Sequence, residues 1–186
     1  MPTVWRAVAS LWLLCGRSER ALAAFERVLR LSPLHAHALA SKAHLLAQTG
    51  RRDAAVLAYQ ALLQAHPQDA AGWFNLGYLH EASGRLDDAL EAFQRATALD
   101  PRLDRAWYGM GLVLIRLQRL DEAATALRRN TELQPMSPFG WYQLAHVQAD
   151  RALPDDAARI IGHLQGFEPR VAAQLRRETG LGAATP

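Results

Sequence analysis

Apolar residues in the middle of the chain fall at helical spacing. Trp73, Leu76, Gly77 and His80 stand at i, i+3, i+4 and i+7, which puts them on one face of a helix that Gly84 ends. A second helix is expected from near Asp87, with that residue as its N-cap. Ala89, Phe93 and Ala96 form its inward stripe, and Pro101 stands just past its end, where a ring without an N–H cannot continue a helix. Residues 70–103 therefore predict a helix, a tight turn, a second helix and a stop.

The same pattern returns along the chain. Pro33, Pro67, Pro101, Pro135 and Pro169 are each 34 residues apart, and Ala21, Ala55, Ala89, Ala123 and Ala157 keep that spacing. A small residue recurs at Ala9, Ala43, Gly77, Gly111 and Ala145, so five units run without a gap: 2–35, 36–69, 70–103, 104–137 and 138–171. Small residues such as Gly77 and Ala89 suit the points where paired helices approach most closely. Bulky ones fill the spaces between: Trp73 with Phe93, Trp107 with Leu127, Trp141 with Ile161. No single unit can bury its apolar face alone, so stability has to come from stacking on neighbours.

The third unit, W-F-N-L-G-Y-L-H followed by A-L-E-A-F and D-P, resembles the tetratricopeptide repeat, and the resemblance covers residues 2–171. It implies an all-α fold: a right-handed superhelical solenoid of antiparallel helix pairs, whose first helices line a concave surface, with a general role in protein recognition. Some positions depart from the pattern. Lys42 stands where leucine is usual, Leu39 replaces the first tryptophan of the second unit, and the fifth turn carries Ala152 and Pro154, so a distortion is expected there. Residues 170–179 read as a short helix capping the open end, which makes 1–179 one solenoid domain and 180–186 a frayed tail.

Composition changes little in this picture. The chain is 50% hydrophobic and 21% charged, with only 12 glycines and 9 prolines, and its alanine, leucine and arginine favour helix. Residues 1–35 hold five arginines against Glu19 and Glu26, which accounts for the whole formal charge of +3. The remaining charges balance and interleave, whereas a nucleic-acid surface clusters them, so no nucleic-acid partner is expected. Cys15 is the only cysteine, which excludes an intrachain disulfide and a cysteine-based zinc site. The apolar run Ala7–Cys15 is too short to span a membrane and no small-residue cleavage site follows it; a soluble, cytoplasmic protein is expected.

With Trp73 and His80 turned to the core, the other broad face of each first helix is open to a ligand. It carries Phe74, Asn75, Tyr78 and Glu81 in the third unit. The fourth presents Arg105, Tyr108, Leu112, Ile115 and Arg116, and the fifth Phe139, Tyr142, Gln143, His146 and Asp150. A purely solvated face would be polar, and this aromatic and aliphatic strip suits an extended or helical peptide with apolar anchors. The candidate partner-binding residues are Phe74, Asn75, Tyr78, Arg105, Tyr108, Leu112, Arg116, Tyr142 and His146. For Phe74, Tyr108 and Tyr142, packing between helices is an equal reading. The first two units offer a more polar end at Arg6, Ser10, His37, Ser41 and His44.

Some tetratricopeptide proteins hold acidic C-termini in a clamp of lysine, arginine and asparagine. Only Asn75 and Arg105 match it here, with Ala40, Gly109 and Gln143 where other donors would stand, so that mode is not expected. Of the seven histidines, His35 and His37 are expected on different sides of a helix, and His37 and His44 lie about 10 Å apart along an axis. Neither pair can chelate one ion unaided. No catalytic constellation, phosphate loop or cofactor motif stands out, and Gly109-Met110-Gly111 falls inside a helix. The leading reading is a non-catalytic adaptor or scaffold that binds a protein or peptide. The alternative is self-assembly, a homodimer through Trp12, Leu13 and Leu14. These belong to the run Leu11–Leu14, which the second helix of the same unit is expected to cover for the most part.

Overall fold

The computed structural model describes residues 2–181, and every regular element among them is a helix. The chain divides into two compact units, residues 1–88 and 89–186. The first holds α1 (Pro2–Leu14), α2 (Ser18–Leu31), α3 (Ala36–Gln48), α4 (Arg52–Ala65), α5 (Ala70–Ala82) and the start of α6 (Leu86–Leu99). The second holds the rest of α6, then α7 (Asp104–Arg116), α8 (Leu120–Leu133), α9 (Pro138–Asp150), α10 (Pro154–Gln165) and α11 (Pro169–Thr179). Of the expected tail, residues 182–186 lie outside the described residues, and Gly180 closes α11 in the left-handed conformation at φ 69°.

Within the first unit α1 packs on α2, α2 on α3, α3 on α4 and α4 on α5, while α3 also touches α5. Within the second, α7 to α11 pack in succession, and α9 also touches α7 and α11. Each helix pair turns on the same device. Gly16, Gly50 and Gly84 adopt φ of 66°, 75° and 75°, and the following N–H reaches back to a carbonyl of the helix just ended: Arg17 to Trp12 at 2.8 Å, Arg51 to Leu46 and Arg85 to His80 at 2.9 Å. Gln118 and Ala152 occupy the same place with φ of 59° and 57°, and Arg119 and Leu153 make the same bond at 2.9 Å to Leu114 and Gln148.

The distortion expected at the fifth turn is therefore absent: Ala152 takes the left-handed conformation that glycine takes elsewhere, and Pro154 starts α10, where its missing N–H would have no helical partner. The departure comes at the other end of α10, which has 12 residues where α8 has 14. Asp87 is not a cap either. The helix α6 begins at Leu86, so Asp87 and Asp88 lie in its first turn, where carboxylates face the unpaired N–H groups and the positive end of the helix dipole. Side-chain caps occur instead on α5, where Asp69 accepts from the Gly72 N–H at 2.9 Å, and on α3, where His35 Nδ1 accepts from Ala38 at 3.3 Å. Because His35 caps α3 from outside it, its ring meets that of His37 edge-on at 6.5 Å, and the two do not diverge as a shared helix would require.

The prolines and tryptophans of the repeat form one hydrogen-bonded unit. The indole N–H donates to the carbonyl of the proline six residues before it: Trp73 to Pro67 at 2.9 Å, Trp107 to Pro101 at 3.0 Å and Trp141 to Pro135 at 2.9 Å. Close approach explains the glycines of α7. A Cβ on Gly111 would stand 2.7 Å from Leu127 Cγ of α8, and one on Gly109 would stand 2.7 Å from the Phe93 ring. On α9, Gly140 leaves room for Asn130, a buried amide that donates to the Asp104 carbonyl at 2.9 Å.

The run at the end of α1 is not covered by α2. Trp12 is half-buried beneath the Arg20 guanidinium, 4.7 Å from its ring centre, but Leu11, Leu13 and Leu14 are 57%, 41% and 87% exposed. Four consecutive residues span all sides of a helix, and one neighbouring helix can bury only one side.

Candidate functional site

In the first unit, α5 presents Tyr78 to solvent at 58% exposure, with Phe74 and Asn75 half-buried beside it on the same face. The opposite face holds Leu76, Gly77 and His80 in the core. His80 is an unusual core residue, because its Nδ1 has no hydrogen-bond partner among the described residues. Burial holds its imidazole below the ordinary 6.5; Arg85 lowers it further, while Asp88 opposes the shift.

Beside Asn75 and Tyr78 two adjoining cavities open between α3, α4 and α5, of about 320 and 240 Å³. They share His44, Tyr59 and Asn75. The larger adds Gln48, Arg52 and Tyr78, and the smaller adds Ser41 and Asp69. The polar face expected at His44 and Ser41 thus leads into a recess that α4 floors. Tyr59, Arg52 and Gln48 were not evident as site residues. The signal available was register: the positions that carry Phe25 and Phe93 in neighbouring units carry Tyr59 here.

In the second unit Arg105 and Arg116 are exposed on α7, with Tyr108 and Leu112 half-buried between them. Burial raises the Tyr108 phenol above its ordinary 10.0, and a hydrogen bond with Gln143 of α9 acts in the opposite direction. On α9 the strip meets α11. The Tyr142 hydroxyl donates to Glu178 Oε2 at 2.8 Å, His146 Nε2 stands 3.0 Å from the same oxygen, and Gln174 Nε2 donates to Oε1 at 2.8 Å. These contacts hold the Glu178 carboxyl below its ordinary 4.5, through Gln174 first and Tyr142 next, and they raise the Tyr142 phenol. Tyr142 and His146 are thus engaged by the chain's own last helix, whereas Phe139, one turn earlier, is exposed.

Trp12, Leu13 and Leu14 lie apart from these cavities at the end of α1, where Leu14 is the most exposed of the three. Among the described residues no three histidine, cysteine or acidic side chains gather as a metal site would require, and no helix is long and apolar enough to cross a membrane.

A family model described as tetratricopeptide repeat matches residues 16–70, 41–104 and 74–138. The structure is similar to that of a tetratricopeptide repeat protein from Parabacteroides merdae ATCC 43184, with a TM-score of 0.82 and 20% identity over 97% of this chain and 74% of that one. It is similar to MamA, with a TM-score of 0.81 and 18% identity over 100% and 97% of the two chains. YrrB, described as a TPR protein with an unusual peptide-binding site, aligns with a TM-score of 0.80 and 21% identity over 93% and 90%. A search of the curated proteins returned no match.

Proposed function

Because the chain belongs to the tetratricopeptide repeat family, whose helix pairs form protein-interaction modules, we propose that it is a non-catalytic adaptor or assembly scaffold that holds a peptide or partner protein on the faces of its first helices. The observation that carries this reading is Tyr78: a large aromatic residue 58% exposed on α5, flanked by Phe74 and by the polar recess at His44 and Asn75. A tyrosine in that position offers contact area at little entropic cost and a hydroxyl to orient a ligand. Arg105, Tyr108, Leu112 and Arg116 supply a second such face on α7, where an apolar centre lies between two cationic edges. Tyr142 and His146 on α9 contribute less, since α11 already occupies their polar atoms. The peptide-binding site named for YrrB, a protein of the same fold, supports this use of the scaffold. Replacing Tyr78 by alanine and Leu112 by glutamate in one chain tests it through the loss of retained partner proteins.

A second reading, self-assembly through α1, is favoured by one observation: Val4, Leu11 and Leu14 are all more than half exposed on a single helix. Three such residues on one short element suit burial against a second copy of the chain. The expected outcome under this reading is a mass in solution that rises with concentration and is held at the monomer by Leu14→Arg. A wild-type chain that stays monomeric at every concentration contradicts it.

A further inference from the structure

We propose that the outer face of α1 receives an amphipathic helix of a partner protein, antiparallel to α1, with an acidic residue in its first turn and a small residue near its end. The inference goes beyond the adaptor reading and competes with self-assembly for the same helix. Val4 and Leu11 stand 34 residues before Ala38 and Leu45, and the same positions recur at Gly72 and Leu79, at Ala106 and Val113, and at Gly140 and Val147. Every one of those counterparts is buried, yet Val4 and Leu11 are more than half exposed. What buries the counterparts is the second helix of the preceding pair. A Cβ on Gly72 would stand 3.1 Å from Leu63 of α4, and one on Gly140 would stand 3.1 Å from Thr131 of α8.

The start of a first helix thus meets the end of the second helix before it. At the opposite end an arginine just past the first helix pairs with an acid in the first turn of that second helix: Arg51 with Glu19 of α2, and Arg151 with Asp121 of α8 at 2.6 Å. Among the described residues α1 has both halves of this arrangement and no second helix to complete it. Arg17, 34 residues before Arg51, is exposed just past α1, and the acids nearest to it in sequence, Glu19 and Glu26, are paired with Arg51 and Lys42. The register also selects the occupant. Residues 1–18 contain no aspartate or glutamate, so the α1 of a second copy would bring no acid to Arg17. Second helices do carry one: Glu19, Asp53, Asp87, Asp121 and Asp155 each stand in the first turn of theirs. Val4 is larger than the alanines and glycines of the inner pairs, so the residue opposite it has to be smaller than Leu63 or Thr131. Burial of Val4 and Leu11 supplies the attraction, and the exposed ion pair fixes the direction of the helix at small gain.

The test uses the full chain and a fluorescein-labelled peptide of residues 84–100 bearing Thr97→Ala, followed by fluorescence anisotropy at low salt. This peptide carries Asp87 in the register of Glu19 and alanine in the register of Leu63 and Thr131. Binding is expected with a Kd of about 100 μM, since an isolated helix of this length has also to be ordered. Leu11→Glu should weaken it more than about tenfold, and Arg17→Glu about fivefold. A peptide that also carries Asp87→Arg should bind the Arg17→Glu chain more tightly than the wild type, a reversal that a merely structural role for Arg17 would not produce. Leu11 and Arg17 are both exposed, so both variants should keep the wild-type circular dichroism. A peptide that does not bind, or that binds the Leu11→Glu chain as well as the wild type, overturns the inference. So does a wild-type dimer that Leu11→Glu dissociates and the peptide does not, which would assign the face to a second copy. The adaptor reading is judged separately, because neither variant touches Tyr78 or Leu112.

Discussion

Single residues that break the repeat's register carry the most information in this protein. The position filled by Leu46 and Leu114 in neighbouring units is His80 in the third and Gln148 in the fifth, both buried. Gln148 is satisfied by Arg151, which donates to its Oε1 at 2.6 Å, but among the described residues His80 Nδ1 has no partner. The consequence is a stability that depends on pH. The folded imidazole titrates below the unfolded value near 6.5, so between the two values the unfolded chain binds more protons. The contribution is fully present above 6.5 and is lost as pH falls through the lower, folded value. His80→Leu should gain about 1 kcal/mol by removing a buried unpaired nitrogen, and the gain should be larger near pH 5 than near pH 8 because the titration loss is removed with it. Urea unfolding of both chains at the two pH values checks this, and equal differences at both would show that His80 is not the group responsible. The helical face of His80 was legible in the sequence; its missing partner was not, because that depends on which groups surround it in three dimensions.

At the scale of the helix pair, the sequence disclosed nearly everything except how its signals join. Proline and tryptophan recur in phase, and each has a separate explanation as a helix stop and as a space filler. In the structure they are partners, since Trp107 donates to Pro101 across the turn that connects successive pairs. Trp107→Phe keeps an aromatic residue and deletes the donor, leaving the proline carbonyl to water. It should lower stability by about 1–2 kcal/mol through the lost bond and the smaller ring. A thermal midpoint within error of wild type would reduce that bond to a by-product of packing. Helix ends were less legible than helices: Asp87 has the chemistry of an N-cap but is the second residue of α6, two past the cap position at Arg85. Ala152 lacks the freedom of glycine and still adopts φ of 57°, because the backbone bonds around it outweigh the strain of one residue.

At the scale of the molecule, a 34-residue period announces an all-α repeat protein, and the tetratricopeptide family follows from it. Period alone could not disclose the contact of α11 with α9, where Glu178 meets Tyr142 and His146 across 36 and 32 residues, since α11 begins at Pro169, ahead of the position that a 34-residue step from Pro138 would give it. The floor of the recess in the first unit was hidden for another reason: Tyr59 belongs to a second helix, and the sequence directs attention to the faces of the first ones. The central claim is that the exposed faces of α5 and α7 hold a partner. Its most direct measurement is a quantitative pull-down from source lysate, comparing wild type with a folded chain carrying Tyr78→Ala and Leu112→Glu. Proteins retained by the wild type and lost by the double variant are the expected result; identical retention by the two chains would contradict the account.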